Sequence, residues 1–232
     1  MKLSSAIKDC KKEKKIPLIA EIKVHSPKDG DLLKNRNPIE ILRQYEKGGA
    51  CAISVVTEPK HFKGSLELLT LIRENTSLPI LRKDFIQNTN QIEETKKIGA
   101  EAILLIACML SERELSQLND YAHRLGLETV VEVHTLRDIE KIKNLRLDIV
   151  GINNKDILNL EKDEDQVKTT IELINKIPDY VITISESGIR SFEDIKEVIE
   201  AGCDAVLMGT SLLKAENIKE KVEKIVNGEL VK

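Results

Sequence analysis

With 41% hydrophobic and 32% charged residues, a chain of 232 residues can bury a sizeable core beneath a charged shell, and that length suits one α/β-barrel domain over residues 1–232. Its 36 basic and 39 acidic residues are mixed along the chain to a formal net charge of −3, so no broad positive field exists to gather nucleic acid. Cys10, Cys51, Cys108 and Cys203 form no C-x-x-C pair, the first residues lack an apolar signal core, and no stretch approaches about 18 uninterrupted apolar residues. Disulfides, structural zinc and membrane attachment are therefore not expected, and a reducing cytoplasm is.

The basic cluster Lys11, Lys12, Lys14 and Lys15 is interrupted by Glu13 and reads as the solvated face of an opening helix. Beyond it, short apolar, β-branched runs recur at residues 17–22, 51–56, 79–81, 102–107, 129–133, 148–152, 181–184 and 204–208, which predicts eight strands. Charged segments with helical apolar spacing lie between them, such as Ile39, Leu42 and Tyr45, or Leu66, Leu69 and Ile72, or Ile195, Val198 and Ile199. A weak repeat marks the junctions: Gly49-Ala50-Cys51-Ala52, Gly99-Ala100-Glu101-Ala102 and Gly202-Cys203-Asp204-Ala205 each end a helical segment and open a strand.

Alternating helices and near-continuous apolar strands indicate a parallel sheet covered by helices, either a closed (β/α)8 TIM barrel or an open doubly wound sheet. The count of eight favours the barrel. No G-x-G-x-x-G follows any strand, which weighs against a dinucleotide site.

Polar residues gather where these runs end: Glu21 and Lys23 after the first, Lys83 after the third, Glu132 late in the fifth, Asn153, Asn154 and Lys155 after the sixth. The seventh ends in Ser185-Glu186-Ser187-Gly188 and the eighth in Gly209-Thr210-Ser211. In a barrel all of these ends converge on one mouth, where such enzymes carry out their chemistry. Glu21 and Lys23, two apart on an extended strand, share a side and can form a charge pair, catalytic or merely structural. Lys83 is the leading candidate for a general acid aimed at a carbonyl; the alternative is an exposed loop lysine. Glu132 lies within an apolar sequence, where an uncompensated carboxylate is costly, so it must meet a cation, a donor or substrate; Glu186 is placed similarly. Ser187, Gly188, Gly209 and Thr210 follow the seventh and eighth strands, the usual phosphate site of such barrels, although each pair alone would be an ordinary turn. His25, His61, His123 and His134 show no metal-ligand spacing, and His134 reads as a strand cap.

From about Pro17 to Glu216 these segments, in this order, resemble the indole-3-glycerol-phosphate synthase family of tryptophan biosynthesis. The carriers are Ala20-Glu21-Ile22-Lys23 with Ser26-Pro27, Thr57-Glu58 with Phe62-Lys63-Gly64, Leu81-Arg82-Lys83-Asp84-Phe85, Val131-Glu132-Val133-His134, Gly151-Ile152-Asn153-Asn154, Ser185-Glu186-Ser187-Gly188 and Gly209-Thr210-Ser211-Leu212. The resemblance implies a carbon-carbon lyase that closes 1-(2-carboxyphenylamino)-1-deoxyribulose 5-phosphate into an indole with loss of carbon dioxide and water, and it implies no cofactor. It gives Lys83 the part of general acid, Glu132 that of the carboxylate assisting proton removal and dehydration, and Lys23 that of steering the anionic substrate. Glu21, Asn153 and Glu186 would orient lysines and substrate. Ser26, Ser187, Gly188, Gly209, Thr210 and Lys155 would contact its anionic groups, and Pro27, Phe62 and Phe85 would wall its aromatic ring.

Three departures from the family pattern stand out. About 16 residues precede the first strand, fewer than family members usually carry there, which implies a reduced lid over the mouth. Lys28, followed by Asp29, stands where a second serine is common, and Lys155 replaces an arginine, a point charge instead of a planar fork. Rival readings are another phosphate-binding barrel, such as phosphoribosylanthranilate isomerase, which lacks a Lys-Asp-Phe strand end, or an orotidine-phosphate type decarboxylase, whose D-x-K-x-x-D is absent. A barrel that binds without catalysing is a third. A tryptophan-pathway partner is not readable from the chain.

Overall fold

Each apolar run forms a strand within two residues of its expected bounds, because β-branched residues buried on both faces favour extended backbone. In the computed structural model, which describes residues 1–160 and 166–228, the barrel strands are β1 (Leu18–Ile22), β2 (Ala52–Val56), β3 (Ile80–Lys83), β4 (Ala102–Ile106), β5 (Glu128–Val133), β6 (Ile149–Asn153), β7 (Ile182–Glu186) and β8 (Ala205–Met208). All pair in parallel, and β1 closes the ring by pairing with both β2 and β8. The expected domain over 1–232 takes in residues 161–165 and 229–232, which lie outside the described residues.

The main helices around the ring are α1 (Leu3–Lys12), α2 (Pro38–Gly48), α3 (Leu66–Glu74), α4 (Thr89–Ile98), α5 (Glu112–Arg124), α6 (Leu136–Ile142), α7 (Lys168–Leu173), α8 (Phe192–Glu200), α9 (Thr210–Leu213) and α10 (Ile218–Val226). Side-chain caps start most of them: Ser65, Asn88, Ser111, Thr135 and Ser191 each accept a hydrogen bond from the first helical turn. Gly49, Gly99 and Gly202 take left-handed φ values of 92°, 96° and 109°, as the junction repeat requires.

The apolar residues fall into two layers that alternate along the strands. Leu18, Ala20 and Ile22 join the layer shared with the helices, whereas Ile19 joins a second cluster with Ala52, Leu81, Ala102, Leu104, Val130, Ile149, Ile184 and Leu207. That second cluster fills the barrel, so inward positions on each strand recur every second residue. Continuing the inward count gives Glu21 and Lys23 on β1 and just past it, Lys83 on β3, Glu132 on β5, Asn153 on β6, Glu186 on β7 and Gly209 after β8. These seven are thus the last inward positions at or just past the ends of their strands.

Two strands end two residues further than expected, and β6 ends one further, at Asn153. β3 ends at Lys83 instead of 81, and β7 ends at Glu186 instead of 184, because Val56 pairs with Lys83 and Asn153 with Glu186 in the ladders. Lys83 and Glu186 are therefore held by sheet backbone, not by loops. A short hairpin not foreseen in the sequence, His25–Ser26 with Gly30–Asp31, follows β1 on the mouth side.

α1 lies at the other end of the barrel. Its Leu3 and Ile7 are fully buried among the amino-terminal ends of the inward positions, and the backbone N–H of Ser4 donates to Glu128 at the start of β5, 3.0 Å away. The residues ahead of β1 close the bottom, not the mouth. Cys10 on α1 hydrogen-bonds Cys51 at the entry to β2, and that contact holds the Cys10 thiol below its usual range. Among the described residues no helix is long and apolar enough to cross a membrane.

Candidate active site

The mouth contains two lobes with a common floor. The larger, a cavity of about 380 Å³, is lined by Ser26, Lys28, Asp29, Lys155, Ser187, Gly188, Arg190, Gly209, Thr210, Ser211, Lys214 and Lys221. The smaller is apolar and is lined by Val56, Phe62, Phe85, Leu104, Ile106 and Ile157, with Glu58, Asp84 and Glu132 at its edges. Glu21, Lys23 and Lys83 border both.

Those three shared residues form a chain of charges. Lys23 Nζ lies 3.1 Å from Glu21 Oε1; Lys83 Nζ lies 3.7 Å from Glu21 Oε2 and 2.9 Å from Glu186 Oε2. Glu21 and Glu186 are buried, so each carboxylate must be matched by a nearby cation, and the lysines supply it. Two glycines make room for these carboxylates. A Cβ at Gly151 would stand 2.0 Å from Glu186 Oε1, and one at Gly209 would stand 2.6 Å from Glu21 Oε1. Gly209, expected only as an anion contact, also leaves the space that Glu21 fills. Gly151 was named in the sequence only as part of a motif and given no role; its inward parity, opposite Glu132 on β5 and Ile184 on β7, was the available signal.

Glu132 is buried on the floor of the apolar lobe. Asn153 and Glu186 are wholly buried and border neither lobe. They act on what lies above: Glu186 holds Lys83, while Asn153 Oδ1 accepts from the Lys155 N–H at 2.9 Å. The Asn153 Nδ2 group has no hydrogen-bond partner among the described residues. His134 Nδ1 approaches the Asn153 carbonyl at 2.7 Å, tying β5 to β6 beyond the cap expected of it.

In the polar lobe, Lys23, Lys28, Lys83, Lys155, Arg190, Lys214 and Lys221 face two carboxylates, Glu21 and Asp29. Asp29 is already engaged by Lys214 and by the Ser26 hydroxyl. Burial raises its carboxyl pKa, but Lys214, the Ser26 hydroxyl and the Lys155 charge together outweigh that and hold it below the ordinary range. Lys214 and Lys221 come from the end of the chain and were not anticipated. Lys221 donates to the Ser211 carbonyl and hydroxyl at 2.9 and 2.7 Å, and burial pushes its pKa down. Ser187 sits at φ +59°, a left-handed conformation uncommon for serine, and turns the chain after β7 into this lobe.

In the apolar lobe, Phe62 and Phe85 meet edge to face with centroids 6.4 Å apart, and Lys23 Nζ stands 5.7 Å from the Phe62 ring centre. Pro27, expected in the aromatic wall, lies in the turn of the hairpin and is not among the residues lining either lobe, where the hairpin presents Ser26, Lys28 and Asp29. Among the described residues no group of three or more His, Cys, Asp or Glu side chains is arranged to hold a metal.

A family model described as indole-3-glycerol phosphate synthase matches residues 1–225. A protein of that name from Pyrococcus furiosus is 47% identical over 228 residues, covering 98% of this chain and 98% of its own. Its counterpart from Thermococcus kodakarensis is 45% identical over the same shares, and one from Aquifex aeolicus is 44% identical over 90% of this chain and 80% of its own. A solved structure described as a thiamine phosphate pyrophosphorylase from Pyrococcus furiosus superposes with a TM-score of 0.65 over 90% of this chain and 93% of its own. At 13% identity that likeness bears on the fold alone.

Proposed function

The chain belongs to the indole-3-glycerol phosphate synthase family, an enzyme family of carboxy-lyases in tryptophan biosynthesis, and from that premise we propose how its own residues divide the work. The substrate has a ribulose phosphate dianion at one end and a carboxyphenyl ring at the other. The observation that carries the assignment is the division of the mouth: a cationic lobe and an apolar lobe meet at Glu21, Lys23 and Lys83. The phosphate enters the polar lobe among Ser187, Gly188, Gly209, Thr210 and Lys155, and Ser26 contacts the same end. The ring enters between Phe62 and Phe85, with its carboxylate toward Lys23.

This placement sets the ribulose carbonyl over Lys83. The ring carbon bearing the carboxylate bonds to the carbonyl carbon while Lys83 gives a proton to the carbonyl oxygen, which would otherwise carry a full negative charge. Carbon dioxide then leaves and restores aromatic bonding. Glu132, on the floor of the ring lobe, takes the proton whose loss forms the new ring double bond, and Lys23, which borders both lobes, gives a proton to the departing hydroxyl so that it leaves as water. Glu21 and Glu186 fix Lys83 between them, and Asn153 fixes the strand end bearing Lys155. No step calls for a cofactor. Residues 1–232 act as one domain in a reducing, cytoplasmic setting, a reading supported by free thiols at Cys10, Cys51, Cys108 and Cys203.

The test is turnover of the purified chain with 1-(2-carboxyphenylamino)-1-deoxyribulose 5-phosphate, followed by indole fluorescence without added metal or nucleotide. Fluorescence should rise in proportion to protein concentration; a folded protein giving no indole would remove the reading.

A further inference from the structure

Two buried side chains outside the chain of charges each hold several backbone groups of one lobe. Glu58, 6% exposed, lies just past β2. Its Oε1 accepts from the N–H of Lys60 at 2.9 Å, and its Oε2 accepts from the N–H groups of His61 and Phe62 at 2.7 and 3.0 Å. Three successive amides thus bend around one carboxylate, and Phe62 is the last of them. The carbonyls of the same turn are held from the β1 side: the His25 N–H donates to the Phe62 carbonyl at 3.2 Å, and His25 Nδ1 approaches the His61 carbonyl at 3.1 Å. A carboxylate accepting three N–H groups is a strong, charge-assisted anchor, and here it fixes the backbone of a ring-lobe wall.

Asn154, 5% exposed, does the corresponding work for the polar lobe. Its Nδ2 lies 3.0 Å from Ser185 Oγ, 3.0 Å from the Glu186 carbonyl and 3.1 Å from the Ser187 carbonyl. Its Oδ1 accepts from both the N–H and the hydroxyl of Thr170, each at 3.0 Å. Both ends of the amide are therefore used, and the uncommon φ of Ser187 is held by a side chain that does not line the cavity.

We propose that Glu58 and Asn154 are positioning residues, each clamping the backbone of one lobe, so that the two ends of the substrate are gripped by independently set loops. The proposal rests on the functional reading above, which puts the ring and the phosphate in different lobes. It predicts a double dissociation that general loosening of the fold would not produce.

The experiment measures dissociation constants of inorganic phosphate and of 2-aminobenzoate by calorimetry, alongside KM and kcat, for the full chain and its variants. Glu58→Ala should weaken 2-aminobenzoate about tenfold and leave phosphate within about twofold; Asn154→Ala should do the reverse. Each should raise KM more than it lowers kcat. The isosteric Glu58→Gln keeps an acceptor for part of the turn and should show the same pattern at smaller size, whereas Asn154→Asp sets a carboxylate oxygen against the Glu186 and Ser187 carbonyls and should weaken phosphate at least as much as Asn154→Ala while leaving 2-aminobenzoate within about twofold. Both probes weakening together in either variant, or neither changing, would overturn the proposal. If the parent chain gives no indole product, the functional reading fails, while the two binding constants still decide whether the clamps are independent.

Discussion

The polar and apolar lobes of the mouth face different physical problems, and their walls are built accordingly. The polar lobe, proposed to draw a phosphate out of water, surrounds about 380 Å³ with side chains carrying an excess of positive charge and is assembled from the ends of β6, β7 and β8, the β1 hairpin, α9 and α10. The apolar lobe, proposed to hold a flat ring, is walled by Phe62 and Phe85 from the turns after β2 and β3, together with Leu104, Ile106 and Ile157. A charge field tolerates rearrangement of individual lysines because Coulomb attraction is long-ranged. Ring contacts fall off within an ångström and do not. Substitutions in the ring lobe should therefore act singly, and those in the polar lobe should share their effects.

The largest effect is expected at Lys83, one of the three residues both lobes share. Lys83→Met should lower kcat by about a thousandfold or more, the range of a lost general acid, while phosphate affinity changes little. Near-normal turnover would remove Lys83 from its role.

Next in size is Gly151→Ala, which tests the floor without touching either lobe. Its Cβ would displace the flexible end of Glu186 and break the 2.9 Å bond to Lys83. We expect kcat to fall by about tenfold to a hundredfold, with a thermal midpoint close to that of the parent. An equal loss of stability and activity would assign Gly151 to packing alone.

Within the lobes, Phe62→Ala should raise KM about tenfold if the substrate ring lies in the apolar lobe as proposed, because it removes one aromatic face of that lobe. Lys155→Met should raise it by only about threefold, since neighbouring cations share the phosphate. If Lys155→Met proved the more damaging, the contrast between a shared field and single contacts would be wrong.

The smallest effect concerns stability. Burial lowers the Lys221 pKa in the folded chain, so between that value and the ordinary lysine value the unfolded chain binds more protons and stability rises with pH. Denaturation across that alkaline window should show a steeper rise for the parent than for Lys221→Met; parallel curves would contradict the burial effect.

How much of this was legible beforehand follows from the range of each signal. Strand order and the candidate residues at the strand ends were readable because a barrel strand is a local apolar run, and the inward count places Glu21, Lys83, Glu132 and Glu186 by parity alone. Lys214 and Lys221 were not, since nothing local separates a lysine that turns into the mouth from the many that face solvent. The position of Pro27 in the turn of the hairpin, beside Ser26, Lys28 and Asp29 at the polar lobe, was not legible either, because a motif gives composition while the hairpin sets which of its residues line a lobe. Glu58 passed as part of a motif, and only the fold reveals the three amides around its carboxylate.

The sequence by itself determined the eightfold alternation of strand and helix, the ring of polar strand ends and the family, because each rests on periodicity or on residue order along the chain. The tertiary structure alone decided that the mouth divides into two lobes, that Gly151 and Gly209 are voids shaped for carboxylates, and that α1 closes the opposite end. Those are facts about which distant segments touch, and packing settles them only when the ring closes.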